Sequence, residues 1–527
     1  MGNVPNSKLQ TQSLKLVSPL LLFGLAFAIR LVYALQINFP PLDDPAYYIQ
    51  AARSLSGPRP LDFELSIIWN FHPLFDNVRH PAMEFWMPLS SFLIGFSTWL
   101  FGDHFFTAQL PSLIAGALLP VYTWYFARRF LPAGLSLVAG LLVALNPLLA
   151  YQSALPDSSM LYAALVCPAL LMLGSLRGKA ERWFLGRALA FGWLVGLAYL
   201  ARTPAVFLAL TYFGFWILDF RWINRKSKIL ELLMVILGMA LPVGGWSLRN
   251  FLLFGFISSP AGTQTLFLFD YQDLFNYQTP VNFATWLEGG LGKIIGIRLE
   301  ALGSAWRNVL DVLLPPSALI AGVGLGWLAW LDRAARSAAL YSLLLFLGLP
   351  LIFAVASLNG SYYHSVGSAA PFLVVGEVFL LWRGVGWLNG LRTNHPAKAR
   401  KGSQVLFGIL VLLHAVLLPL NAGAAIAVHR QDELLYGRIK NWLAEHPAPA
   451  VITNQPSTLN YSSGQPAVRL PANEDLATLQ RVAAKYNARY IILTEQAGRY
   501  PGLLESPNNT HFPLVYQGGD FEIFAVP

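Results

Sequence analysis

A polytopic α-helical membrane protein with a small C-terminal α/β domain is the fold class this sequence predicts, and three observations predict it. Of the 527 residues, 55% are hydrophobic and only 12% charged, a balance that a soluble chain of this length hardly tolerates. Apolar runs long enough to cross a bilayer recur throughout residues 1–424. From about residue 425 the pattern changes to short strand-like runs and amphipathic helices.

The apolar runs lie near residues 17–37, 108–127, 132–150, 158–176, 186–201, 204–220, 229–248, 313–331, 337–357, 366–383 and 404–424, which predicts about eleven spans. The first is long enough to span and is followed by no small-residue cleavage site, so it is expected to stay as an anchor. The segment Phe85–Phe101 is apolar too. Counted as a crossing, it would put Arg128–Arg129 outside and reverse every later loop. Laid along the outer face as a juxtamembrane or re-entrant helix, it leaves Lys8, Lys15, Arg128, Arg129, Arg225, Lys226, Arg333, Arg336, Arg400 and Lys401 on one side, which positive-inside bias makes the cytoplasm. The net charge of +9 is then mostly a topology signal and calls for no nucleic acid.

This arrangement predicts a multi-pass plasma-membrane protein with a cytoplasmic N-terminus. Its outer face carries a first loop of residues 38–107, a loop around Tyr151–Asp157, a loop after Arg249, the segment Asn359–Ser365 and the C-terminus. The one cysteine, Cys167, sits in an apolar run, which excludes a disulfide framework or thiolate metal cluster.

Residues 425–527 are expected to form the outer α/β domain, within the usual domain size. Gln431–His446 places Leu434, Leu435, Ile439, Trp442 and Leu443 on one helical face, and 474–486 reads as another amphipathic helix. Ala450–Thr453, Ala488–Thr494 and Phe521–Val526 read as strands.

Chemistry is expected on the outer face. Asp43 and Asp44 follow the first span, where acid must be solvated, paired or used; the alternative is a helix N-cap. The first loop adds His80 and Glu84 beside Phe85–Phe101. Asp157 either caps the fourth span or converges with the acidic pair, where it could hold a divalent cation with Asp43 or orient a substrate hydroxyl. Arg202 and Arg249 lie at the outer ends of spans. Each either snorkels to headgroups or holds a phosphate, for which guanidinium geometry is suited. Tyr362, Tyr363 and His364 lie between spans nine and ten, where an aromatic belt is the plain reading.

The segments Leu-Asp-Asp-Pro-Ala-Tyr-Tyr after span one, Arg-His-Pro-Ala-Met-Glu-Phe-Trp, the Asp157 loop and Trp-Ser-Leu-Arg-Asn-Phe-Leu-Leu-Phe-Gly, in that order and on one side, together resemble the GT-C superfamily. The resemblance is to its polyprenyl-phosphate-sugar-dependent glycosyltransferases, the group of protein O-mannosyltransferases and lipid A aminoarabinose transferases. It covers roughly residues 15–425. It implies a lipid-linked sugar-phosphate donor, a hydroxyl acceptor (lipid, glycan or protein) and inversion at the anomeric carbon. It implies Asp43, or Asp44 where many members have Glu, as base or acceptor-orienting group, and Arg249 at the donor phosphate. His80-Pro81 fits a stretch commonly rich in His or Lys with Pro, with Ala82 where a second Pro is often found. A base on the hydroxyl and positive charge on the leaving phosphate suffice for such chemistry, and the absence of a Gly-rich phosphate loop fits a membrane-embedded donor. Two other classes compete: a transporter or flippase of lipid-linked saccharides, and a non-catalytic membrane-anchored binding protein.

Overall fold

The computed structural model describes residues 6–41, 43–176, 184–219, 225–259, 262–278, 281–313, 317–392, 396–472, 475–494 and 512–527. Each apolar stretch of the sequence holds a helix. The chain opens with α1 (Asn6–Ala34), followed by α2 (Asp43–Ser54), the two-residue strand β1 (Ile67–Ile68) and α3 (Leu89–Phe101). Next come α4 (Phe105–Ala127), α5 (Ala133–Ala144), α6 (Pro147–Ser153), α7 (Ser159–Leu173), α8 (Phe184–Ala201), α9 (Ala205–Asp219) and α10 (Arg225–Phe254). A segment of 3-10 turns leads through α11 (Phe283–Glu288) to α12 (Gly290–Val312), which buries Ile294, Ala301, Ala305, Val309 and Val312 along one stripe. Then follow α13 (Ser317–Leu331), α14 (Arg333–Ile352), the single turn α15 (Ala354–Ala356), α16 (Ala370–Arg392) and α17 (Pro396–Glu445).

Among the described residues, seven helices are long and apolar enough to cross a membrane, or nine if two bent pairs each count as one span. This is a multi-pass membrane protein. One bent pair is α5–α6, which turns by 57° where Asn146 caps α6 through Leu149 N at 3.0 Å and Pro147 occupies its first position. The bend frees carbonyls at the end of α5, and fully buried Arg30 of α1 takes them up. Its guanidinium donates to Ala144 O at 3.2 Å, to Ala26 O at 3.1 Å and to Ser153 Oγ at 3.0 Å. The negative end of a helix thus partners a buried cation. Gly116 permits the approach, since a Cβ there would lie 2.0 Å from Ser153 Oγ.

Gln109, near the start of α4, donates to the carbonyls of Ile37 (3.2 Å) and Ala154 (2.6 Å). The end of α1, the start of α4 and the end of α6 therefore share one end of the bundle. Residues before and within α3 lie there as well: Trp86 and Met87 line the cavity described below, and Ser97 Oγ donates to Thr107 O of α4 at 2.7 Å. At the other end, Arg129 reaches Asp332 at 3.5 Å, joining two of the basic connections.

The C-terminal region holds β2 (Ala450–Thr453), α18 (Pro456–Ser463), β3 (Ala467–Arg469), α19 (Leu476–Tyr486), β4 (Ala488–Thr494), β5 (Leu514–Gln517) and β6 (Phe521–Ala525). The sheet order is β1-β3-β2-β4-β6-β5, parallel from β1 to β4 and antiparallel from β4 to β5. Along β4, Tyr490 and Ile492 pack on Leu435, Ile439 and Leu443 of α17, while Ile491 and Leu493 pack on Leu479 and Val482 of α19. Alternate residues are buried on opposite faces, which explains the near-continuous apolar run. α17 passes residue 425 without a break, and β1 comes from the segment after α2, so the sheet includes chain from both sides of that position.

Candidate active site

Asp43 and Asp44 occupy the first turn of α2, where the positive end of the helix dipole favours acid. Successive residues on a helix diverge by roughly 100°, so the two carboxylates face different surroundings. Asp43, 7% exposed, accepts hydrogen bonds from the backbone N–H groups of Ser457 (3.0 Å) and Thr458 (3.3 Å) in the first turn of α18. Arg469 of β3 lies 3.4 Å from its other oxygen. Burial pushes the Asp43 carboxyl up to about 6, against the pull of Arg469 and these N–H groups.

Asp44 instead lines a cavity of about 380 Å³, a size typical of small-ligand sites. Tyr48 stands one turn along α2, Trp86 and Met87 come from the approach to α3, Arg202 from the α8–α9 corner, Tyr271 from a 3-10 turn, and His364 from the segment before α16. The Asp44 carboxyl is raised by burial, with His364 and Arg202 opposing and the Asp157 charge adding to the rise. Its base strength is thus increased beside two groups able to carry positive charge.

Asp157 lies behind the cavity wall. Its Oδ2 is 2.9 Å from His364 Nδ1 and accepts from Ser159 Oγ at 2.7 Å, and Ser159 Oγ lies 2.8 Å from the same ring nitrogen. Burial alone would raise this carboxyl, but His364, Arg202 and Ser159 together outweigh it and hold Asp157 below the ordinary carboxylate range. Arg202 donates to Ser158 Oγ at 2.7 Å, while its buried Nε has no protein partner.

Arg249 has a different setting. Its guanidinium donates to the carbonyls of Leu61 (2.9 Å), Asp62 (2.8 Å) and Ala82 (2.6 Å) and to Asn250 Oδ1 (3.0 Å), and stacks on Trp246. It does not line the cavity; it fastens the segment between α2 and α3 to the end of α10. His80 bonds the Val78 carbonyl through Nδ1 and stacks on Phe75, and burial lowers its imidazole to about 4. Glu84 is buried against Tyr47, whose hydroxyl donates at 3.2 Å, and burial raises it to about 7. Tyr362 belongs to the helical core, and Tyr363 accepts from Gln152 Nε2 through its carbonyl at 2.9 Å.

Of the residues singled out in the sequence, Asp44, Arg202 and His364 meet at one cavity, with Asp157 behind them. Asp43, His80, Glu84, Arg249, Tyr362 and Tyr363 lie outside its wall. Asp43 and Asp157, the candidate cation pair, have separate partners, and no group of three or more His, Cys, Asp or Glu suited to a metal ion occurs among the described residues. Sequence reading missed Tyr271, Arg469 and the Ser158-Ser159 pair. Only the last carried a signal, two hydroxyls next to Asp157 at a helix start.

Comparison with known proteins points the same way as the resemblance read from the sequence. Residues 79–246 match the family model described as dolichyl-phosphate-mannose-protein mannosyltransferase. The ArnT structures from Cupriavidus metallidurans, in the apo state and bound to undecaprenyl phosphate, align over 96% of this chain and 97% of theirs. Their identity is 13% and their TM-scores are 0.57 and 0.56. The oligosaccharyltransferase AglB from Archaeoglobus fulgidus, in complex with an inhibitory peptide and a dolichol-phosphate, aligns over 91% of this chain and 69% of its own, at 13% identity and a TM-score of 0.56. No curated protein sequence matches. The chain shares the fold of these proteins.

Proposed function

We propose that this protein is a membrane glycosyltransferase that moves a sugar from a polyprenyl-phosphate-linked donor to a hydroxyl acceptor. The observation that carries this reading is a carboxylate, Asp44, lining one cavity together with Arg202 and His364. Relatives in fold bind undecaprenyl phosphate and dolichol-phosphate, which supports a donor of that class. Asp44 takes the proton of the acceptor hydroxyl as its oxygen bonds to the anomeric carbon. The bond from that carbon to the phosphate oxygen breaks, and the phosphate stays on its lipid, its charge met by Arg202 and the second nitrogen of His364. No covalent nucleophile is needed.

Positive-inside bias supports placing this site and the C-terminal domain on the outer face and the N-terminus in the cytoplasm. The seven long helices, the two bent pairs and the shorter apolar helices α7 and α9 then make the eleven crossings read from the sequence. The test is sugar transfer in native membrane vesicles enriched in the full chain, which supply the acceptor, using a panel of radiolabelled polyprenyl-phosphate sugars. Label should move from lipid to an acceptor with at least one donor. Transport of intact donor across the bilayer without transfer would instead support the flippase reading.

A further inference from the structure

Asp43, the residue directly before Asp44, is paired by an arginine of the C-terminal domain. Arg469, 8% exposed and on β3, makes contacts in two directions. One is the Asp43 carboxylate at 3.4 Å, the residue directly before Asp44. The other is the ring of Phe275, 3.6 Å below the guanidinium carbon. Phe275 closes the 3-10 turn Tyr271–Phe275, and its ring packs edge-on against Tyr271 at 5.4 Å. Tyr271 lines the cavity with Asp44. One guanidinium thus connects to both walls of the site, through Asp43 to α2 and through Phe275 to the Tyr271 turn.

The surrounding bonds hold this guanidinium in place. Its Nη1 also donates to the Asn454 carbonyl. Ala472 N donates to Phe275 O at 3.2 Å, and β3 pairs with β1 through Ile67–Ala467 and Ile68–Val468. Gln50, farther along α2, bonds Asn460 of α18. Planar charge that pairs with a carboxylate and stacks on a ring is a task for arginine; a lysine offers a point charge without the plane.

We infer that the C-terminal domain is a positioning element of the active site, and that Arg469 is the latch that fixes Asp44 relative to Tyr271 by holding Asp43 and Phe275 together. This inference rests on Asp44 being the reacting carboxylate. Arg469 itself is a positioning residue: it acts through Asp43 and Phe275. Misplacing a reacting group by about 1 Å can cost roughly 100-fold in rate, whereas a donor held by Arg202 should bind nearly as before.

The experiment measures sugar transfer by the full chain in native vesicles for wild type, Arg469→Met, Arg469→Lys, Asp43→Asn, the Asp43→Asn/Arg469→Met double variant, and Asp44→Asn. For Arg469→Met, kcat should fall about 10- to 100-fold while KM for the lipid donor moves less than about threefold. Arg469→Lys should recover part of the loss, and the double variant should be little worse than the worse single one, because both changes open the same latch. A folded Arg469→Met with wild-type kcat, a change confined to KM, or additive losses in the double variant would overturn the inference. If Arg469→Met does not accumulate, Phe275→Leu carries the test, since it leaves the ion pair intact. Reduced kcat at unchanged KM supports the latch, and wild-type kcat rejects it. Inactive Asp44→Asn beside fully active Arg469→Met would reject the latch alone; fully active Asp44→Asn would reject the site assignment and the latch with it.

Discussion

Asp157 Oδ2 lies 2.9 Å from His364 Nδ1, which ties the connection between α6 and α7 to the segment before α16 and fixes the imidazole in the cavity wall. Asp157→Asn would keep the shape but lose the charge that orients this ring. A charge-assisted hydrogen bond of this kind is worth on the order of 1.5–3 kcal/mol, or about 10- to 100-fold in transfer rate. Because the Asp157 carboxyl is held below its ordinary range, its contribution to stability is present at neutral pH. That contribution is lost only as pH falls from the unfolded-state carboxylate value toward the depressed one. Thermal unfolding of wild type and Asp157→Asn at pH 8 and at about pH 2, below the unfolded-state carboxylate value, checks this: the gap between them should be wider at pH 8.

The two arginines should separate by assay. Arg202→Ala is expected to weaken binding of undecaprenyl phosphate by roughly 10- to 100-fold with little effect on melting temperature, through loss of a charged contact to phosphate. Arg249→Ala should do the reverse, because three carbonyls lose their donor, at a cost on the order of 3 kcal/mol in stability. Lipid-phosphate titration and thermal melts on both variants give the answer. A donor-binding defect in a stably folded Arg249→Ala would return the phosphate role to that residue.

Glu84 makes a pH prediction. Burial raises its carboxyl from the usual 4.5 to about 7, so between these values the folded chain keeps a proton that the unfolded chain releases. Stability from this group therefore falls as pH rises through that window and stays lower above it. Glu84→Gln should flatten the dependence and raise stability at pH 8 by roughly 3 kcal/mol at most. A variant less stable than wild type at pH 8 would mean that the charged form is satisfied.

The orientation is open to a direct check. Reporter fusions after Arg129 and after Pro527 should give cytoplasmic and outer signals respectively, as positive-inside bias requires. A cytoplasmic signal at Pro527 would invert the site's side of the membrane.

The sequence made the helices legible because bilayer-length apolar runs leave little choice of structure. Strands at 450–453, 488–494 and 521–525 were legible as well, since their apolar runs are buried on both faces. β1 was not: two isoleucines carry no periodicity, and their partner Ala467–Val468 lies far along the chain. The site was legible as a set of polar residues at one end of the bundle, but their roles were not. Asp43 and Asp44 differ only in the direction each leaves α2, which depends on where α18 docks. Arg202 and Arg249 both end helices, and only the folded segment around Leu61 and Ala82 decides which guanidinium meets carbonyls.

The central claim turns on Asp44, and the most direct measurement is the rate of sugar transfer by Asp44→Asn in native vesicles, with undecaprenyl phosphate binding measured on the same preparation. Asn keeps the size of the side chain and removes the basic oxygen. General-base catalysis is worth about 10²- to 10⁴-fold, so transfer should fall by at least two orders of magnitude while lipid-phosphate binding persists. Transfer at the wild-type rate by a folded Asp44→Asn would contradict it.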